Sequence, residues 1–327
     1  MRAREPDANG FVERGGVRTY FERFGEGLPT LLLLPTWSIV HSRVWKAQVP
    51  YFARHHRVVT FDGRGNGRSD RPAGPEHYAD IEMVNDAVAV LDATGTDQAV
   101  VVGASQAGWW ATVLAAEHPE RVVGLVVVST VCPLAPPLPP FATFADELPT
   151  DEGWAKLNMH YWRRDYPGFL RFFFPHMYPE PHSTKQLEDS IDWALETTPE
   201  TLIDTVLAPS EHWIRAKEVY ASVRCPALVV HGTEDGVVPA EHALLAAEAM
   251  NASLMTIEGG GHAPETRDPV RFNLLLSEFI ASVAPPTPRR LRWTRALVRP
   301  KRALFVSSPI GLGHALRDVA TANELRR

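Results

Sequence analysis

Six short runs of nearly uninterrupted apolar residues constrain this chain more than any other feature: 30–34, 57–61, 99–102, 124–128, 227–230 and 254–257. Each is too short for a helix and too uniform for a strand with one wet face, so each reads as a strand covered on both sides. Helical periodicity separates most of them. Ile81, Val84, Ala87, Val88 and Leu91 repeat at helical spacing, as do Trp110, Val113 and Leu114 before His118-Pro119 stops the pattern. Val270, Phe272, Leu275, Phe279 and Ile280 form a last amphipathic segment. Buried strands alternating with amphipathic helices predict an α/β fold, a mostly parallel central sheet with helices on both faces. Ahead of it, residues 11–14 and 17–24 alternate apolar and polar around Gly15-Gly16, which predicts an antiparallel hairpin with a two-residue turn.

The interval 133–224 breaks this pattern. It opens on Pro133-Leu-Ala-Pro-Pro-Leu-Pro-Pro140 and continues with an aromatic-rich series that includes Trp154, Trp162, Phe169, Phe173, Tyr178 and Trp213 among helical stretches. We read it as a helical insertion lying over the sheet. Most of its aromatics are expected in a core, with some lining a cavity between insertion and sheet.

Ligands of parallel sheets bind beyond the carboxyl ends of the strands, so residues following the apolar runs are the ones to inspect. In Val100-Val-Val-Gly-Ala-Ser-Gln-Ala-Gly108 a β-branched run stops at Gly103 and a helix begins beyond Ser105. A serine on a tight strand-to-helix turn is exposed and strained, and small residues two positions before and after it, Gly103 and Ala107, let the chain pack closely. The same string also fits an ordinary junction, so its meaning depends on partners. After Val230, His231-Gly-Thr-Glu-Asp-Gly236 puts Asp235 at the same end of the sheet, with Glu234 as its competitor. An isolated Asp-Gly reads as a turn, but a carboxylate there also orients an imidazole. After Ile257, Glu258-Gly-Gly-Gly-His262 delivers one of the chain's 13 histidines on a glycine-rich loop. The chain order Ser, Asp, His is that of one class of triad hydrolases.

These elements together resemble the α/β-hydrolase fold family, over about residues 11–284. The matching pieces are Gly103-Ala-Ser-Gln-Ala107, Phe61-Asp-Gly-Arg-Gly-Asn-Gly-Arg-Ser-Asp70, His231-Gly-Thr-Glu-Asp235 and Gly260-Gly-His262. The esterase-like members with a helical cap are the nearest in pattern. The resemblance implies a core of residues 11–132 and 225–284, with residues 133–224 as the cap. It implies Ser105 as nucleophile, His262 as base and Asp235 as its orienting acid. Backbone N–H groups of Trp37 and Gln106 would form the oxyanion hole. The implied activity is cleavage of a small, apolar carboxylic ester or thioester, with no metal and no organic cofactor. Two departures stand out: Pro35-Thr-Trp37 replaces the usual His-Gly, and Ala107 replaces a glycine. The first motivates a second reading, a ligand-binding or sensory module with little turnover.

Composition excludes other classes. With 45% hydrophobic and 22% charged residues and a net charge of -6, the chain is expected to be globular and not to bind nucleic acid. Two cysteines, Cys132 and Cys225, give no disulfide framework and favour the cytoplasm. No run nears the roughly 18 apolar residues of a membrane span, and Met1-Arg-Ala-Arg has no apolar stretch behind it to make a secretory signal. The glycines and arginines of residues 62–70 match no phosphate-binding fingerprint, so that loop is expected to be structural. Residues 285–301 read as a Pro/Arg-rich linker. Residues 302–327, with Gly311-Leu-Gly-His314, resemble the first strand, loop and helix of a two-domain glycosyltransferase, which implies part of a second domain.

Overall fold

Gly15 and Gly16, at φ 57° and 79°, turn β1 (Ala8–Arg14) back onto β2 (Val17–Phe24). Positive φ at both central residues is what a tight two-residue hairpin requires, and glycine adopts it without steric penalty. The structure, a computed structural model, describes residues 4–284, all within one compact unit that ends at Pro285. The expected linker and partial second domain lie outside the described residues. Six more strands follow: β3 (Thr30–Leu33), β4 (Val58–Phe61), β5 (Ala99–Ala104), β6 (Val122–Val128), β7 (Ala227–Gly232) and β8 (Ser253–Ile257). The sheet order is β1-β2-β4-β3-β5-β6-β7-β8. The pairings of β2 with β1 and β4 are antiparallel, and all the others are parallel.

The parallel strands need crossovers, and the helices supply them. After β3 comes the short α1 (Val49–Phe52); α2 (Asp80–Ala93) joins β4 to β5, and α3 (Gln106–Glu117) joins β5 to β6. Between β6 and β7 lie α4 (Pro139–Ala142), α5 (Met159–Met177), α6 (Thr184–Ala194), α7 (Pro199–Leu207), α8 (Glu211–Ile214) and α9 (Ala216–Ser222). The chain then adds α10 (Ala240–Met250), α11 (Pro264–Arg267) and α12 (Pro269–Val283). Alternate residues of each inner strand enter two different cores. Leu31, Leu33, Val100, Val102, Val126 and Val128 pack toward α12 and the aromatics of α5. Leu32, Val101, Leu125 and Val127 pack toward α2, α3 and α10. Burial on both faces explains why these runs lack alternation.

One strand differs from its sequence reading. The run 254–257 looks uniformly buried, yet β8 is the sheet's last strand and only its final residue, Ile257, is fully covered. A helical stretch also departs from regularity: α5 breaks at Asp165 (φ -147°, ψ 71°). There the Asp165 carboxylate accepts the Gly168 N–H at 2.8 Å, so the second half of α5 starts with its own cap, and Pro167, lacking an N–H, falls in its first turn.

The 62–70 loop is structural. Asp62 accepts the Ser42 backbone N–H and hydroxyl on one oxygen and the Arg68 N–H on the other. Arg64, 1% exposed, makes paired bonds of 2.6 and 2.7 Å to the Asp86 carboxylate on α2. The Thr197 hydroxyl donates to the Gly65 carbonyl at 2.5 Å, tying this loop to the insertion. Asp80, buried at the start of α2, accepts both the Trp109 and Trp110 indole N–H groups, and Ser210 donates to it from the insertion. No helix among the described residues is long and apolar enough to cross a membrane.

Candidate active site

Ser105 sits between β5 and α3 with φ 56° and ψ -126°. That region is sparsely populated for a residue with a Cβ and carries strain of order 1–3 kcal/mol. The turn is held on both sides: the Ser105 N–H donates to the Val128 carbonyl at 2.8 Å, and the Gly108 N–H donates to the Ser105 carbonyl at 2.9 Å. A Cβ at Gly103 would run into the Ala107 carbonyl, which is why the turn can close only over glycine there. Alanine at 107 is fully buried in the core, so the methyl group that departs from the usual glycine packs without difficulty.

The loops after β7 and β8 meet beside this turn. Asp235 accepts the Val237 and Val238 N–H groups on Oδ1 at 2.8 and 2.9 Å, and its Oδ2 lies 2.8 Å from His262 Nδ1. Glu234, the competing carboxylate, is exposed. The close approach of the two loops needs Gly232, where a Cβ would meet the Gly260 and Gly261 carbonyls. His262 is further anchored by its N–H, which donates to the Met177 carbonyl at the end of α5. Burial alone would raise the Asp235 carboxyl, but the His262 charge and hydrogen bond, with the Val238 N–H, hold it below its ordinary value. Burial likewise opposes the imidazolium, yet Asp235 raises His262 above the ordinary histidine value, and Glu265 adds to the effect.

Ser105 and His262 line one small cavity of about 30 Å³. Among the described residues, no hydrogen bond joins their side chains, as is common for such pairs before substrate binds. Ser105 also borders a second, far larger cavity of about 920 Å³, together with Trp37 and Gln106. Gln106 opens α3, where the first N–H groups have no intrahelical acceptor and the helix dipole is positive. The Trp37 backbone N–H donates to no other described residue. The other four residues singled out in the sequence are therefore brought around Ser105: His262 with Asp235 behind it, and Trp37 and Gln106 along the wall of the large cavity.

Trp37 itself is fixed from the insertion. Its indole N–H donates to the Thr205 hydroxyl of α7 at 2.7 Å, and its ring packs against Trp162 and Phe173 at centroid distances of 6.0 and 6.2 Å. Thr205 carried no sequence signal, because the pair spans 168 positions. A second residue passed over is Glu265, three positions after His262. It is 2% exposed, lines the small cavity with Ser105, and burial pushes its carboxyl up to about 7. The expected aromatic lining is present: Phe173 and Tyr178 border the small cavity, and Trp154, Phe173 and Trp213 the large one. Among the described residues, no group of three or more His, Cys, Asp or Glu side chains is arranged to hold a metal ion.

Comparison with known proteins places the fold. The 2-hydroxymuconate semialdehyde hydrolase of Pseudomonas sp. (strain CF600) is 29% identical over 297 residues, covering 84% of this chain and 95% of the relative. Among solved structures, Est816, described as an N-acyl homoserine lactone degrading enzyme, is 29% identical with a TM-score of 0.69, covering 83% of this chain and 100% of its own. The esterase RhEst1 from Rhodococcus sp. ECU1013 shares the fold at a TM-score of 0.70 and 24% identity, over 84% of this chain and 98% of its own. A family model for the alpha/beta hydrolase fold matches residues 29–264. Because that match runs from the residue before β3 to the loop that carries His262, taking in the parallel sheet and the insertion above it, the chain belongs to the alpha/beta hydrolase fold family.

Proposed function

We propose that this hydrolase cleaves a carboxylic ester or thioester through an acyl-enzyme on Ser105. The observation that carries the reading is the His262 imidazole, held by Asp235 at 2.8 Å and bordering the same small cavity as the strained Ser105. His262 takes the Ser105 proton as the hydroxyl oxygen attacks the substrate carbonyl, and Asp235 stabilises the imidazolium that forms. The tetrahedral oxyanion is received by the Trp37 and Gln106 backbone N–H groups. As it collapses, the bond to the leaving oxygen, or to sulfur in a thioester, breaks and His262 returns the proton to that atom. Water, activated by the same imidazole, then releases the acid. Asp235 remains ionised throughout, as its depressed pKa favours. Relatives described as an esterase and as a lactone-degrading enzyme support acyl transfer to water as the reaction class. We place residues 133–224 in this scheme as the cap that closes the large cavity over Ser105.

The test is a panel of esters and thioesters of short alcohols and thiols with increasing acyl length, read by acid release, with fluorophosphonate labelling in parallel. Wild-type protein is expected to turn over and to label at Ser105, and Ser105→Ala is expected to lose both. Full activity in Ser105→Ala would sink the proposal.

A further inference from the structure

Glu265 is a buried acid for which the reaction above has no use. Its Oε2 is buried with no hydrogen-bond partner among the described residues. The rest of the carboxyl is only loosely held, by the Thr266 hydroxyl 3.4 Å from Oε1, too long for more than a weak bond, and by the residue's own backbone N–H. The backbone around it is nonetheless fixed, since the Glu265 carbonyl accepts the Gln48 side-chain N–H at 2.7 Å. A buried carboxyl oxygen left unpaired is costly, and here the residue that carries it borders the small cavity beside Ser105 and His262.

The two cavities that meet at Ser105 differ in size and character. The small one sets Glu265, Tyr178 and Ser190 among apolar residues such as Val40, Val44 and Met177, whereas the large one is walled mainly by prolines 136, 137, 139 and 140 and by Trp154 and Trp213, with polar residues such as Asp80 and His242 among its lining. His262 borders the small cavity and not the large one. A leaving oxygen must lie within reach of the imidazole proton, so the leaving group enters the small cavity and the acyl group fills the large one. About 30 Å³ admits only a short group there.

We propose that Glu265 is a specificity-determining residue that hydrogen-bonds a hydroxyl on a short leaving alcohol, and that the preferred substrates are esters of a large apolar acid with such an alcohol. A hydroxyl both donates and accepts, so it pairs with Glu265 whether the carboxyl is protonated or ionised. This matters because burial places its titration at about 7. The assignment rests on the serine-hydrolase reading.

The experiment compares kcat/KM for 2-hydroxyethyl 4-phenylbutyrate and propyl 4-phenylbutyrate, which differ by a hydroxyl in place of a methyl group. Wild-type protein is expected to favour the hydroxyethyl ester about tenfold or more, because the alternative leaves a buried polar group unpaired. Glu265→Met is expected to bring the ratio toward one, and Glu265→Gln, which keeps a donor and an acceptor, to retain part of it. A wild-type ratio near one overturns the proposal without any variant, and so does a wild-type ratio that persists in Glu265→Met. Ser105→Ala separates the two levels: if it is inert while the ratio is near one, only the role of Glu265 falls, whereas turnover by Ser105→Ala removes the reading beneath it.

Discussion

Asp235 divides its carboxylate between two tasks, with one oxygen on backbone N–H groups and the other on His262, so its position is set before the imidazole arrives. The charge it presents changes the pH at which His262 can act. In our reading the base must be neutral, and its pKa is raised in the folded protein, so the acid limb of kcat/KM should lie above the ordinary histidine value of about 6.5. In Asp235→Asn the charge is gone, and burial then pulls His262 down. The acid limb should move to lower pH while the plateau falls about 10³- to 10⁴-fold. Stability follows the same sign. In wild-type protein, stability from the raised His262 is fully present below its unfolded pKa and is lost as pH rises through its folded value. In the variant a buried, depressed histidine destabilises at acid pH. The gap in urea midpoint between the two proteins should therefore be wider at pH 5.5 than at pH 8.5. A limb that stays in place in Asp235→Asn would mean that this carboxylate does not set the base.

The elbow from β5 through Ser105 to α3 is an element whose geometry opposes the residue it displays. At φ 56° a Cβ is strained, so Ser105→Ala keeps the strain while Ser105→Gly relieves it. Glycine's greater freedom in the unfolded chain offsets part of the relief, leaving Ser105→Gly about 1 kcal/mol more stable than Ser105→Ala. Chemical denaturation of the two variants measures this directly, and equal midpoints would show an unstrained turn. This element was legible because its determinants are local: a β-branched run, two small residues and a serine within nine positions. The hairpin at Gly15-Gly16 and the loops after β7 and β8 were legible for the same reason. The edge position of β8 was not, since the order of strands in a sheet depends on which neighbour each one finds, and the residues of 254–257 do not encode that. Nor was the break inside α5, where Asp165 acts as a cap only because the chain turns there.

At the scale of the whole molecule, the division of space around Ser105 arises from contacts between segments far apart in sequence. Trp37 follows β3, Thr205 lies on α7, and the bond between them fixes the indole beside Ser105, bordering both cavities. No window of the sequence holds that pair, which explains why the aromatic content of the insertion predicted a cavity but not its two unequal parts. The same separation in sequence hid Glu265, a charged residue in a polar stretch that the fold buries in the first turn of α11, with its carbonyl held by Gln48 from far upstream. If the large cavity takes the acyl group, filling it should discriminate by acyl length alone. Ala155 lines that cavity and not the small one, and it is only partly buried, so a larger side chain there can project into open space. Ala155→Trp should lower kcat/KM for 2-hydroxyethyl decanoate by about tenfold or more while 2-hydroxyethyl acetate, whose two-carbon acyl group fills little of that cavity, changes less than about twofold. Equal losses on both esters would instead mean that the long chain does not enter the large cavity. The acyl and leaving-group sides would then have to be exchanged.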